Sequence, residues 1–495
     1  MIPRYSDPEI SEIWSDRNKL GLWQKTELAV VEARANLGLI DVSASKRMSE
    51  ILLSNEIDIG WWLEREKETS HDLNAFLDER LRFLPINLQP HFHYGMTSYD
   101  TEEAAFASML SKSVELLRKN ISPVKEALKS LAHRYRYTIM NGRTHGQEAE
   151  LQTFGKRCLT WLAELKLGEQ TLDKAAENLA YSRLSGAIGN YRGLDAMVEK
   201  EALYILGFKP FYGATQIMPR ALYTPIAEAI CQITLTIGKV ATDIRLGARS
   251  GRPIYQEPFG KKQKGSSAMA HKKNTISCEQ LEGMARAAIG YLNMIMLNVP
   301  TWEERSIEQS SVERIAWPDI FHVAMRAAKV IARVLGGLAV YPDNMVKEII
   351  DSRGCYASGE AKEFLRRRGP EYGLSAEDAY RIVQLASFNA FSPSSNEKEM
   401  RENPPISFDD AKKCLGLVRS ELHYPDHQDI KAIIEKGALE PSNQLETDEN
   451  DLRRYNAALQ KMFGQMDISD KWDQVFDPSY LLRGEATLYS EILGE

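Results

Sequence analysis

Along the middle of the chain Ile226, Ile230, Ile233, Ile237, Val240 and Ile244 step by fours and threes, which places six apolar side chains on one helical face. No strand-like alternation competes with this stripe. The same periodicity runs through Phe106, Leu110, Leu117, Ile121, Val124, Leu128 and Leu131, predicting a helix over about 101–137 with Pro123 as a kink. Leu151, Phe154, Cys158, Trp161 and Leu165 predict another over 150–180. Leu281, Met284, Ala288, Leu292 and Ile295 predict one over 281–298, stopped by Asn298 and Pro300, and Pro318 is read as the start of one over 318–340. Nearer the N-terminus, Asp7-Pro8-Glu9 reads as a cap, a first-turn proline and a first-turn acid ahead of Ile10, Ile13, Trp14, Leu20 and Trp23. The expected fold is therefore all-α, built on a central long-helix bundle. Three helical regions follow from the pattern: 1–100, 101–340 and 341–495. In the last, Ser375-Ala376-Glu377-Asp378 resembles a capping box, while 392–396 and 403–405 read as loops. Residues from about 395 onward carry no chemistry that the pattern identifies.

Composition changes little in this picture. A net charge of −7 with both signs interspersed provides no chain-wide basic field, which argues against nucleic-acid or membrane partners. The five cysteines, Cys158, Cys231, Cys278, Cys355 and Cys414, stand far apart without Cys-x-x-Cys spacing. That argues against zinc or a disulfide framework and points to a reducing compartment. The first residues lack the apolar core of a leader, and no run reaches a membrane span, so a cytoplasmic location is expected.

The chemistry concentrates at a few breaks between helices. The densest is Lys264-Gly265-Ser266-Ser267-Ala268-Met269-Ala270-His271-Lys272-Lys273-Asn274, where a glycine- and lysine-rich segment leads into a long helix. Backbone N–H groups left over at that helix start, with hydroxyls and amines beside them, would suit carboxylates. The bland reading is a solvated Gly-Ser linker, against which stand Met269, Asn274 and the immediate helix. Glu68-Thr69-Ser70-His71-Asp72 precedes Gly95-Met96-Thr97-Ser98-Tyr99-Asp100, where a glycine turn and small donors open the next helix. In Gly142-Arg143-Thr144-His145-Gly146 two glycines clear space around a histidine that could otherwise be structural. Arg305 and Arg314 could pair with Glu303, Glu304 and Glu313 on a solvated face.

Taken together, these segments resemble the fumarase/aspartase superfamily, whose signature is Gly-Ser-Ser-x-Met-Pro-x-Lys-x-Asn-Pro. Ala270 and Thr275 stand where that signature has prolines, so the loop is expected to be less stiff than in the family. His271 before the lysine, and the opening Ile2-Pro3-Arg4-Tyr5-Ser6, resemble its adenylosuccinate lyase branch. The resemblance implies a tetrameric core with active sites shared between subunits, no cofactor and no metal. It implies elimination of fumarate from adenylosuccinate and from the succinylated carboxamide ribotide (SAICAR, giving AICAR). Within it Ser266 is the base and His145 the acid. Arg4 and Tyr5 hold the phosphate, Arg305, Ser310 and Arg314 the nucleotide, and Thr97, Ser98, Lys272 and Asn274 the carboxylates. His71, Asp72, Thr144 and Gln216 complete the substrate contacts. Two alternatives stay open at this point, another fumarate-releasing lyase of the argininosuccinate or aspartase type and a catalytically silent structural relative.

Overall fold

The structure is a computed structural model that describes residues 1–391, 429–442 and 445–494. The loops expected at 392–396 and 403–405 lie outside the described residues. The described residues group into two compact units, one made of 1–128, 161–249 and 255–339, the other of 129–160, 250–254 and the described residues from 340 onward.

In the first unit the chain opens with α1 (Pro8–Ile13), α2 (Asp16–Asn36), α3 (Val42–Ser54), α4 (Ile59–Thr69) and α5 (Asp72–Leu81). Asp7 caps α1 as read, its Oδ1 accepting from the N–H of Glu9 at 3.1 Å and of Ile10 at 3.3 Å. The long helices follow: α6 (Ser98–Arg134) and α7 (Phe154–Ala176), which run on into the second unit, then α8 (Ala196–Leu206), α9 (Thr224–Gly247), α10 (Ile276–Met296) and α11 (Glu308–Gly336). All six stripe residues of α9 are buried. They are surrounded by neighbouring helices at close range. A Cβ on Gly238 would stand 2.8 Å from the Cβ of Ala285 on α10, and one on Gly168 would stand 2.8 Å from Ile233, so small residues set these helix separations.

Several expected helix starts move, α10 opening at Ile276 rather than near 281. α11 begins at Glu308, ten residues before Pro318, which lies inside it. A helix tolerates that proline at the loss of one bond, since Pro318 has no N–H for the carbonyl of Arg314. The helix expected from about 150 begins at Phe154, because the residues before it pair as strands.

Those strands belong to the second unit. β1 (Ile139–Thr144) and β2 (Gln147–Thr153) form an antiparallel hairpin whose register slips between Asn141 and Arg143, at Gly142. The unit continues with α12 (Pro342–Asp351), α13 (Ser358–Arg368) and α14 (Ala376–Phe391). At the start of α14 the amide of Asp378 donates to Ser375 Oγ at 3.1 Å and the amide of Ser375 to Asp378 Oδ2 at 2.8 Å. That is a capping box closed by an aspartate. The described C-terminal helices fill this unit's core. Trp472 is fully buried, with the rings of Phe364, Phe463 and Phe476 within 5.2 Å of its own.

Candidate active site

In the first unit the start of α6 gathers most of the residues singled out from the sequence. Gly95 and Gly193 make the approach possible. Gly95 has φ of +70°, and a Cβ on it would stand 2.0 Å from the carbonyl oxygen of Gly193, so only glycine fits this crossing. Thr97 then caps α6. Its amide donates to Asp100 Oδ2 at 2.8 Å, and Asp100 Oδ1 is held by Arg183 at 2.8 Å. The Thr97 amide is thus spent on the cap, and the Thr97 hydroxyl remains as a donor.

His71 caps α5 through Nδ1, which accepts from the amide of Asn74 at 3.3 Å. The ring proton is therefore on Nε2, and that nitrogen faces Ser98 Oγ at 3.5 Å. Beside it Asp72 accepts from Arg314 at 2.6 Å, and Trp62 donates to the Asp72 carbonyl at 2.9 Å. Arg305 donates to Gln216 Oε1 at 2.9 Å, and its guanidinium lies 4.1 Å from the centre of the Tyr99 ring. Ser310 is buried on α11 one turn before Arg314. The solvated-face pairings of Arg305 and Arg314 with their neighbouring glutamates do not form: Glu313 is bound to Arg220 instead.

Arg4 is exposed and Tyr5 half-buried in the turn before α1. That turn is fastened to the helix carrying Ser310 and Arg314, since the Asp7 amide donates to His322 Nδ1 at 2.9 Å and Lys329 bonds Asp7 Oδ2 at 2.6 Å. Between these pieces lies a cavity of about 670 Å³, whose lining includes Ser6, Asp72, Tyr99, Ser310 and Arg314 with Trp14 and Phe106 as apolar wall.

The signature loop folds on itself. Gly265 packs so tightly that a Cβ there would fall 1.8 Å from the carbonyl oxygen of Lys272, and Asn274 Nδ2 donates to the Gly265 carbonyl at 2.7 Å. Ser266 Oγ accepts from the amides of Ala268 at 3.3 Å and Met269 at 3.1 Å. Ser266 is half-buried and Lys272 exposed. One expectation is corrected here. The helix start after the loop is not a free anion site, because the buried Glu257 carboxylate accepts from the amides of Ser277 at 3.1 Å and Cys278 at 2.9 Å. An internal acid satisfies the orphan donors that Thr275, which makes no side-chain cap, leaves open.

Thr144 and His145 belong to the second unit, at the tip of its hairpin. Thr144 pairs with Gln147, so His145 and Gly146 are the two turn residues, with φ of +54° and +79°. Positive φ at both is the type I′ turn that matches strand twist, and it holds an exposed imidazole out on a left-handed backbone that histidine rarely adopts.

The sequence reading passed over several buried ion pairs that support these elements. Arg220 is locked between Glu313 at 2.6 Å and Glu103 at 3.0 Å, and Tyr223 donates to the same Glu103 at 3.0 Å. His93 is tied to buried Glu27 at 2.8 Å, which makes it a brace of the turn before α6. Glu103 could have been found. It lies four residues before Ala107 on the stripe that continues through Leu110 and Val114, and an acid on an apolar stripe demands a buried partner.

Comparison with known proteins gives the family of the chain. The chain matches the lyase family over residues 4–290, and it is 36% identical over 392 residues to the adenylosuccinate lyase of Synechocystis sp., covering 79% of this chain and 89% of that one. The chain belongs to the adenylosuccinate lyase family. The adenylosuccinate lyase of Bacillus subtilis is 34% identical over 402 residues, covering 81% and 91%. Among solved structures, a fumarate lyase from Mesorhizobium sp. BNC1 superposes with a TM-score of 0.76 at 20% identity, covering 99% of this chain and 98% of that one. A β-carboxy-cis,cis-muconate cycloisomerase from Acinetobacter calcoaceticus does so with 0.73 at 18% identity over the same shares. At such identities the superpositions establish the all-α fold and not the reaction.

Proposed function

We propose that this protein is a carbon–nitrogen lyase of purine biosynthesis, eliminating fumarate from adenylosuccinate to give AMP and from SAICAR to give AICAR. The observation that carries the reading is the Asp72–Arg314 pair lining one cavity together with Ser310 and Tyr99, in a chain of this family. Arg305, Ser310 and Arg314, with Arg4 and Tyr5, bind the nucleotide and its phosphate, where guanidinium forks match phosphate oxygens. His71, Asp72, Thr144 and Gln216 orient the substrate. Ser266 removes the proton beside a succinyl carboxylate, and the charge that develops is met by Lys272, Asn274 and the hydroxyls of Thr97 and Ser98. A serine is a weak base, and the two amides that donate to Ser266 Oγ support the alkoxide it must offer. His145 protonates the departing nitrogen as the carbon–nitrogen bond breaks.

The same reading makes the protein a cytoplasmic homotetramer that shares its sites between subunits. Leu235, Leu246, Ile289 and Met296 remain exposed on α9 and α10, apolar surface that partner helices would cover. Among the described residues no helix is long and apolar enough to cross a membrane. It also keeps three helical domains, 1–100, 101–340 and 341–495, the second boundary falling where the chain passes between units at Ala339 and Val340.

Fumarate release from purified protein, followed by ultraviolet absorbance, tests the reading. Turnover of adenylosuccinate with none of argininosuccinate or aspartate is the expected result. Turnover of either of those in preference redirects it to a sister lyase, and no turnover of any of the three overturns it.

A further inference from the structure

The cavity at the start of α6 is lined by a carboxyl group on that helix which no described residue answers. Glu102, in the second turn of α6, is half-buried and lines the cavity. Among the described residues it makes no hydrogen bond and no ion pair. Glu103 and Glu313 are engaged with Arg220, and Asp72 with Arg314. An ordinary glutamate near a helix N-terminus stays charged, favoured by the dipole and by water. Burial first, and then the Asp72 carboxylate, push the Glu102 carboxyl up to about 8, against the opposing pull of Arg314, Arg305 and Lys19. The cavity brings further negative charge from Asp16 on α2, Glu66 on α4 and Glu313 and Asp319 on α11, and positive charge from Arg220 and the Met1 amine, with the His322 imidazole also on α11 and the Tyr99 hydroxyl on its own helix. At neutral pH Glu102 is thus a neutral acid with an O–H donor and no acceptor among the described residues.

Resting on the nucleotide reading of this cavity given above, we propose that Glu102 is a ligand-contacting residue of the nucleotide site and meets the bound nucleotide as a hydrogen-bond donor. A phosphate oxygen, a ribose oxygen or a purine ring nitrogen can each accept such a bond. A carboxylate at the same place offers no donor, and it adds like charge to a cavity that must admit an anion. The sign of the linkage follows. The neutral form binds, so affinity is level below about pH 8 and declines above it as Glu102 ionises.

Equilibrium binding of AMP, measured by titration calorimetry from about pH 7 to about pH 9.5, above the second ionisation of the phosphate near 6, tests the assignment. For the unaltered protein the dissociation constant should hold to about pH 8 and then rise by up to roughly tenfold per pH unit. Glu102→Gln keeps a donor and cannot ionise, so its constant should match the unaltered protein at neutral pH and stay level. Glu102→Ala should bind roughly threefold to tenfold more weakly at neutral pH, also without the rise. A level profile in the unaltered protein, or a parallel rise in Glu102→Gln, overturns the role of Glu102 and leaves the nucleotide reading standing. Failure of the unaltered protein to bind AMP at any pH removes that reading and this inference with it.

Discussion

Arg220 is 4% exposed, yet its charge sits among helices because Glu103 and Glu313 meet it from opposite sides and Tyr99, Phe106 and Tyr223 place rings around it. Removing one member of such a network leaves the others charged and dry. Arg220→Ala should therefore cost about 3–5 kcal/mol, read as a drop in the urea midpoint, and a loss under about 1 kcal/mol would show that water reaches the carboxylates. Ser266 presents the opposite case, since it lies half-exposed on a loop and bears little packing. Ser266→Ala should keep AMP affinity and melting temperature while turnover falls by roughly a hundredfold or more; retained turnover would transfer the base role to Ser267. His71, Asp72, Ser98, Arg305, Ser310 and Arg314 were legible as motif members, but Glu102 was not, because an acid near a helix start is commonplace until its cavity is known.

At the scale of elements, helix ends decided what periodicity could not. The spacing of Leu281, Met284 and Ala288 announces α10, whereas its cap comes from Glu257, twenty-one residues before Cys278. Glu257→Gln halves the acceptor capacity and removes the charge at this terminus. It should lower stability by about 1–3 kcal/mol, and it should raise KM and lower kcat together because the loop bearing Ser266, Lys272 and Asn274 leads directly into that helix. Unchanged kinetics beside reduced stability would separate the cap from the loop. The hairpin at 139–153 was likewise hidden between two helical patterns. Its period-two signal is short, with Ala149, Leu151 and Thr153 inward, and the His145-Gly146 turn is readable only once both are known to have positive φ.

For the whole molecule, the proposed acid and base belong to different compact units, His145 to one and Ser266 to the other. If sites are shared between subunits, mixing inactive His145→Ala with inactive Ser266→Ala protein should restore a measurable share of activity after subunit exchange. Exchange shown by mass spectrometry with no recovered turnover would count against shared sites. What the sequence determined by itself is everything that depends on near neighbours along the chain: the helical stripes, the Asp7 and Ser375 caps, and the motifs that mark the site. Partner choice among charged side chains is another matter. Arg314 adjoins Glu313 in sequence yet bonds Asp72, 242 positions away. Successive residues on a helix point about 100° apart, so Glu313 turns to Arg220 while Arg314 turns to Asp72, and only the packing of α5 and of the turn before α9 against α11 brings their partners within reach.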